Sequence, residues 1–433
     1  MTPVILATDA LLWVLVVAVA VYAGYCVRRP HLAAPWRRVF TARTAIASGV
    51  VLGAYLVVGL ADSLHFRTPG GFQIRSVLDV TLDHLRSRSE KTYSAPLATR
   101  LYAKEQIEAP DGKSLRDFPR LRFGGAHLKD EAEAARDIAG LALRGGLIGA
   151  AAFAVLMLLL RPITRRRPLV PWHAAWITLA VMLLVGAPVA SIAQHYHVLG
   201  TDKVGEDVLY QALKSIRTSL AIGTLTTLVL LPLGVALGTM AGYFKGWIDD
   251  AIQYVYTTLN AIPGVLLIAA AVLMMQVVIE RNASWFETAT QRADFRLLVL
   301  CGILGLTSWT GLARLLRGEA LKLSQLEYIQ AAHAFGVSNA RILARHILPN
   351  VAHIVIIAMV MDFSGLVLAE AVLSYVGVGV DPATTSFGTM INSARLEMGR
   401  EPIVWWSLAA AFFFMFVLVL AANLFADAVR DGF

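Results

Sequence analysis

Long apolar runs alternate with short polar connections along this chain, and the runs can be read one by one. A helix needs about 20 apolar residues to cross the hydrocarbon core of a bilayer. Runs of that kind lie at roughly 9–27, 44–61, 141–160, 172–192, 215–241, 251–279, 296–316, 351–378 and 404–427. The pattern predicts an all-α, polytopic membrane protein with about nine spans. The first run does not read as a cleavable signal, since no basic residue precedes it and Arg28 and Arg29 follow it directly. Bulky Tyr25 before Cys26 argues against lipoprotein processing.

One connection breaks the compact pattern. Residues 62–140 carry charges of both signs, with helical patterns at 73–89 and 128–139 and with Pro96, Pro110 and Pro119 between them. A segment of that length can bury only a marginal core. It is read as a small extracytoplasmic domain or packed cap.

Polar and special residues inside the runs sharpen the picture. Pro232 and Pro263-Gly264 fall within helical runs and are expected to kink them, freeing backbone carbonyls. Gly234, Gly238 and Gly242 recur every four residues, a stripe that lets another helix approach closely. Asp362 and Glu370 lie eight residues apart on the eighth run, on similar faces at about 3.6 residues per turn. Charges within spans default to functional hypotheses. Proton coupling is one reading; the other, favoured, is that they face a wet cavity or cap neighbouring backbone.

Composition excludes the soluble alternatives. The chain is 57% hydrophobic and 16% charged, with a mean hydropathy of +0.63. A soluble domain is about 45–50% apolar and about 25% charged, so there is too little charge here to coat a globule of this size. Cys26 and Cys301 both sit in apolar runs, which leaves no disulfide framework and no zinc site. The net charge of +8 reflects topology rather than nucleic acid. Arg28, Arg29, Arg37, Arg38 and Arg43 crowd the first connection, and Arg161, Arg165, Arg166 and Arg167 crowd the third. The positive-inside rule places both in the cytoplasm, the N-terminus outside and the C-terminus inside. Residues 317–350, with Arg317, Lys322, Arg341 and Arg345, then fall inside, and 193–214, 280–295 and 379–403 outside.

Catalytic signatures are missing: the chain has no H-E-x-x-H and no G-x-S-x-G. Gly112-Lys113-Ser114 ends like a phosphate loop, but Ile107 stands where the leading glycine belongs. His195 and His197, with Asp202 nearby, suggest either a metal site or, preferred, an interfacial pair.

The most informative stretch is cytoplasmic. Ser324-Gln-Leu-Glu327 has the spacing of a capping box. The helix it opens runs through Ala331, Ala332 and Ala334, and Gly336 suits its C-terminal cap. Ser338 is placed to cap a second helix carrying Arg341, Arg345 and His346, with Pro349 as its stop. Two short helices between spans form either a rigid projection for a cytoplasmic partner or an ordinary helical loop.

Gln330-Ala331-Ala332-His-Ala-Phe-Gly336, followed by Arg345-His346-Ile347-Leu348-Pro349-Asn350, resembles the EAA loop of bacterial ABC importer permeases, in the dipeptide/oligopeptide/nickel branch. Further matches lie in order: Leu199-Gly200-Thr201-Asp202 with Asp207, Ser219-Leu220, Ala241-Gly242-Tyr243, Glu370-Ala371-Val-Leu373-Ser374-Tyr-Val-Gly377, and Asn423 with Asp427 and Arg430-Asp431. The resemblance covers about 197–433, with the span at 172–192 as the family's first helix.

It implies a subunit of the bacterial inner membrane that pairs with a homologous second permease and docks two cytoplasmic ATP-binding subunits. Solute would arrive from an extracytoplasmic substrate-binding protein. The lipid bilayer is its medium, and no nucleic acid is expected. It also implies a non-hydrolytic chain that binds no cofactor, ATP and Mg being used by the partners. Ala331, Ala332 and Gly336 would shape the coupling helix, with Glu327, Gln330, Arg345 and His346 in the same loop and Leu348 and Pro349 anchoring its return. Glu370, Asp362 and Pro263 become gating or pathway candidates.

The expected organisation is two N-terminal spans (1–61), the extracytoplasmic segment (62–140), a third extra helix with a basic loop (141–171), and the permease core (172–433) with the coupling loop 317–350. Gln330 replaces the glutamate of the general pattern, Glu206 stands where the branch has arginine, and Phe387 replaces tryptophan. Residues 1–160 have no counterpart in the family; they either widen contacts with partners or add lipid-facing mass. The competing reading is a proton-coupled secondary transporter or channel built on Asp362 and Glu370, or a membrane scaffold of the same fold.

Overall fold

The computed structural model describes residues 2–67, 74–108, 114–165 and 169–433. Pro110, Gly112, Lys113, Arg166 and Arg167, and position 73 at the start of the first external helical pattern, lie outside the described residues. In chain order the helices are α1 (Ala7–Arg28), α2 (Pro30–Val39), α3 (Arg43–Asp62), α4 (Val77–Thr81), α5 (Asp83–Arg86), α6 (Ala134–Arg165), α7 (Trp172–Ile192), α8 (Val208–Phe244) and α9 (Gly246–Ala261). They continue as α10 (Gly264–Arg281), α11 (Ala289–Ser308), α12 (Thr310–Leu323), α13 (Glu327–Ala334), α14 (Asn339–Ile342), α15 (Leu348–Val376), α16 (Phe387–Glu397) and α17 (Trp406–Gly432). Among the described residues, nine helical stretches are long and apolar enough to cross a membrane. The protein is an all-α polytopic membrane protein.

One expected span is divided. The run at 251–279 is not one kinked helix but α9 and α10, parted at Ile262 and Pro263, and only α10 has the length and hydropathy of a span. The residue before a proline is pushed toward extended backbone, and Ile262 adopts φ −92°, ψ 132°. Pro263 then needs no N–H donor where it stands, at the head of α10. Pro232, by contrast, stays inside an unbroken α8. The first connection also holds an element the apolar runs did not announce: α2, an amphipathic helix with Arg37 and Arg38 in its last turn.

The chain forms two compact units. The first comprises Met1–Ile5, Arg37–Thr218 and Thr385–Ala428. Here α6 and α7 lie so close that a Cβ on Gly145 or Gly149 would come within 2.6 Å of a carbonyl oxygen of α7. Tyr55 of α3 donates its hydroxyl to the Phe414 carbonyl of α17 at 2.8 Å. The connection 62–140 contains strands as well as helix. β1 (Thr2–Val4), β2 (His65–Arg67) and β3 (Ile74–Ser76) form an antiparallel sheet, and β4 (Glu105–Glu108) pairs with β5 (Ser114–Asp117). Strands of three and four residues are too short to show as alternation in the sequence. The expected helical pieces shrink to α4 with α5 and to the start of α6.

The second unit comprises Leu6–Trp36, Ser219–Thr384 and Val429–Phe433. One buried cluster gathers Ala221, Leu225, Val272, Leu300, Leu304 and Leu373, and reaches Leu12 of α1. Another gathers Leu230, Leu312, Leu316, Ile329, Ile342, Ile347 and Val351. The glycine stripe does what its period suggests. A Cβ on Gly234 would meet Leu312, one on Gly238 would lie 2.6 Å from the Ala313 carbonyl, and one on Gly242 2.5 Å from that of Arg317. So α8 and α12 touch backbone to backbone, which dispersion rewards only where no side chain intervenes.

Candidate functional site

The loop between α12 and α15 is built from its inner face outward. Ile329 of α13, Ile342 of α14, and Ile347 and Val351 beyond it are all buried in the second cluster. Removing such side chains from water stabilises by roughly 1.5–3 kcal/mol each, so the loop is fixed rather than loose. Its outer face is bare: Ala331, Gln330 and Gly336 are exposed, and Phe335 is 88% exposed. Phe335 thus presents its ring outward beside a helix that is packed from behind through Ile329.

Polar contacts hold the loop's shape. Asn350 donates to the Tyr328 hydroxyl at 3.1 Å and to the His346 carbonyl at 2.7 Å, tying the start of α15 to α13. Tyr243 of α8 donates to Asn339 of α14 at 2.9 Å. At the loop's base, Arg317 of α12 makes two parallel hydrogen bonds of 2.6 Å to the Asp249 carboxylate of α9. This fork is among the strongest polar contacts a side chain makes, and Arg317 holds the Asp249 carboxyl below the usual range. Motif reading singled out neither Asp249 nor Tyr328, because each acts through partners distant in sequence, and it gave Tyr243 and Phe335, which lie within quoted motifs, no role of their own.

Three details of the loop differ from expectation. The capping box at Ser324–Glu327 does not form. α12 runs to Leu323, so Ser324 is its C-terminal cap and donates its hydroxyl to the Leu321 carbonyl at 2.8 Å, while Leu326 caps α13 with no side-chain bond. Ser338 does occupy the N-cap of α14, but only its carbonyl serves, accepting from Arg341 and Ile342. Pro349 opens a helix rather than stopping one. A π turn, Leu343–Ile347, joins α14 to α15, and Pro349 sits in the first turn of α15 where a missing N–H is harmless. Arg345 and His346 ride on that π turn, and Leu348 is half-buried against the core. Gly336 has φ +74°, the left-handed conformation a C-terminal cap requires, and the Val337 N–H returns to the Ala332 carbonyl. Glu327 is exposed in the first turn of α13, and the Gln330 amide donates to the Gln325 carbonyl at 3.1 Å.

The pathway candidates are dispersed. Glu370 is buried and accepts the Ser374 hydroxyl at 2.6 Å. Asp362, about two turns earlier on α15, is half-buried. Pro263 is exposed at the break before α10.

On the first unit, His197 turns to Asp207 and Glu90 rather than to Asp202. It is buried between Asp207 (Nδ1 to Oδ2, 2.8 Å) and Glu90 (Nε2 to Oε1, 3.5 Å). Burial alone would lower its pKa, but the two carboxylates push it up to about 9. Glu90 in turn accepts the backbone N–H groups of Arg122, Phe123 and Gly124, and these with His197 hold its carboxyl below the ordinary value despite burial. Asp207 also caps α8 through Leu209 and Tyr210, while Asp202 accepts from Val204 and Glu206. His195 stacks on His127 instead. Among the described residues, no group of three His, Cys, Asp or Glu side chains is arranged to hold a metal ion.

Apolar helices of spanning length and a packed loop with one exposed face mark a polytopic membrane protein with a surface free for contact. The sequence profile described as "Binding-protein-dependent transport system inner membrane component" matches residues 234–433. The glutathione transport system permease protein GsiD of Pectobacterium atrosepticum is 34% identical over 238 residues, 54% of this chain and 71% of its own. The oligopeptide transport system permease protein OppC of Mycobacterium tuberculosis is 33% identical over 54% of this chain and 75% of its own. The dipeptide transport system permease protein DppC of Bacillus subtilis is 29% identical over 54% and 68%. A chain of the MetNI methionine ABC transporter in an inward-facing conformation superposes with a TM-score of 0.38 at 15% identity, over 51% of this chain and 97% of that one. This chain belongs to the inner-membrane permeases of binding-protein-dependent ABC importers, in the peptide branch.

Proposed function

We propose that this chain forms half of the translocation pathway of an ATP-driven importer of peptides or related small solutes. It pairs with a homologous permease, docks two ATP-binding subunits through residues 327–336, and takes solute from an extracytoplasmic binding protein. ATP and Mg are used by the partners; this chain supplies pathway and lever. The N-terminus is outside, the C-terminus and the loop 317–350 are cytoplasmic, and the permease core begins near residue 172. The observation that carries the reading is α13: its inner face is sealed into the core through Ile329 while Ala331, Phe335 and Gly336 stand exposed.

A groove on each ATPase would receive that face. When ATP draws the two ATPases together, α13 moves with its groove, and the buried isoleucines pass the displacement to α8, α12 and α15. The shift between outward and inward openings is driven only by the difference in ATPase affinity for the two states. Copurification from the native membrane should bring down ATPase subunits and a second permease. Phe335→Asp should abolish ATPase capture while leaving the permease folded. ATPase capture undiminished by Phe335→Asp, or transport by the chain alone in liposomes under a proton gradient, overturns the reading.

A further inference from the structure

Within the second unit, the C-terminal end of α10, the first two turns of α11 and the loop after α15 line an open cavity of about 380 Å³. Its wall includes Gln276, Glu280, Arg292, Arg296, Asp381 and Ala383. That volume lies at the lower end of the roughly 300–1,000 Å³ typical of small-molecule sites. The arginine distribution puts this end of α10 and α11 on the extracytoplasmic side.

The charges on the wall are unequally committed. Arg296 lies 3.4 Å from Asp381, a long contact for an ion pair. Arg292 meets no carboxylate, and Glu280 no cation, among the described residues, and both side chains are exposed. Arg292 also stands in the first turn of α11, where the helix dipole disfavours a cation and where no acidic residue offsets it. Two buried donors on the same wall, Gln276 Nε2 and Arg296 Nε, find no protein acceptor among the described residues, although buried donors are almost always paired. A cavity with a spare guanidinium, a spare carboxylate and an excess of donors suits a small zwitterion. Its carboxylate would take both oxygens to the arginine side, and its ammonium would face Glu280.

We infer that this cavity binds the termini of a short zwitterionic peptide at the extracytoplasmic mouth of the pathway, with Arg292 reading the carboxylate and Glu280 the ammonium. The inference rests on the peptide-importer reading for its choice of solute. Ala383 is exposed on the rim, and Cys26 and Cys301 are buried. A thiol introduced by Ala383→Cys can therefore be labelled selectively with an impermeant maleimide in the assembled transporter.

Ala-Ala should protect that thiol. Its C-terminal amide and its N-acetyl form should need at least tenfold higher concentrations for half-protection, and Arg292→Gln should erase the preference for the acid over the amide. Glu280→Gln should erase the preference for the free amine alone. Protection equal for acid, amide and acetyl forms overturns the inference, as does unimpeded labelling in saturating Ala-Ala. Import of Ala-Ala by the reconstituted complex is read separately. Protection without import leaves the site standing and sinks peptide import, whereas import without protection sinks the site and leaves the importer.

Discussion

His197 and Gly205 show how much single residues fix the packing of the first unit. A histidine whose folded pKa is raised to about 9 stabilises fully below its unfolded value of about 6.5. That contribution is lost as the pH rises to about 9. The melting temperature of the solubilised protein should therefore fall between those values, and His197→Gln should flatten the profile there. An unchanged slope in that variant would remove His197 as its source. The acid limb has a different owner. Burial alone would raise the Asp79 carboxyl, but Lys214 at hydrogen-bond distance, Tyr210 and the Ser76 N–H hold it down at about 2. Its contribution is present above about pH 4 and lost as the pH falls toward 2. Gly205, at φ +78°, would place a Cβ 1.9 Å from the Glu90 carbonyl oxygen, whereas Gly336, at φ +74°, has open space around it. Gly205→Ala should thus cost more than about 3 kcal/mol, and Gly336→Ala only the left-handed penalty of about 1–2 kcal/mol. Chemical denaturation of the two variants side by side checks the ranking. The sequence exposed Gly336 through its place after an alanine-rich helix, but Gly205 is indistinguishable from any loop glycine until Glu90 is seen against it.

Helices were legible to the degree that their cause is local. The four-residue glycine period announced that some helix packs closely on α8, because it needs only those three positions, but that the helix is α12 is seen only in the structure. The expected capping box failed because the spacing of Ser324 and Glu327 is silent about where the preceding helix ends; α12 claims the serine first. Pro349 was misplaced for a related reason: proline ends one helix or begins another, and the π turn before it decides which. The Arg317–Asp249 fork joins residues on two helices, and no pattern within either helix points to it. Both partners are only partly exposed, so Asp249→Asn should leave an arginine under-paired and cost about 1–3 kcal/mol. Because the fork ties α12 to α9 just before the proposed coupling loop, that variant should also lower transport per ATP hydrolysed more than it lowers hydrolysis. Gly238→Leu should act one level up, forcing α8 off Ala313 and lowering the yield of folded protein in membranes. A folded yield equal to the parent's would mean that α8 and α12 tolerate separation.

At the scale of the whole chain, the family's profile matches residues 234–433 and its relatives align over about 54% of the chain, so residues 1–160, outside the profile, are either an accessory or a structural part. The packing favours the second, and does so in each unit separately. In the second unit, Thr8 of α1 donates both its backbone N–H and its hydroxyl to Asp294 of α11, and Leu12 joins the buried cluster around Leu300. In the first unit, Glu90 lies 3.5 Å from His197, Ser94 and Thr92 hold Thr201, and Trp406 of α17 donates to the Thr201 carbonyl at 2.9 Å. A core expressed as residues 172–433 would keep His197 and Asp207 but lose Glu90, and would keep Asp294 buried without Thr8. Stripping one partner from a buried charged pair typically costs 3–5 kcal/mol, against a total stability of only about 5–15 kcal/mol for a typical domain. Residues 172–433 alone should therefore aggregate on detergent extraction, and coexpressing residues 1–171 as a separate chain should restore a monodisperse complex. Mere lipid-facing mass would behave otherwise: the truncated core would extract and melt like the full chain.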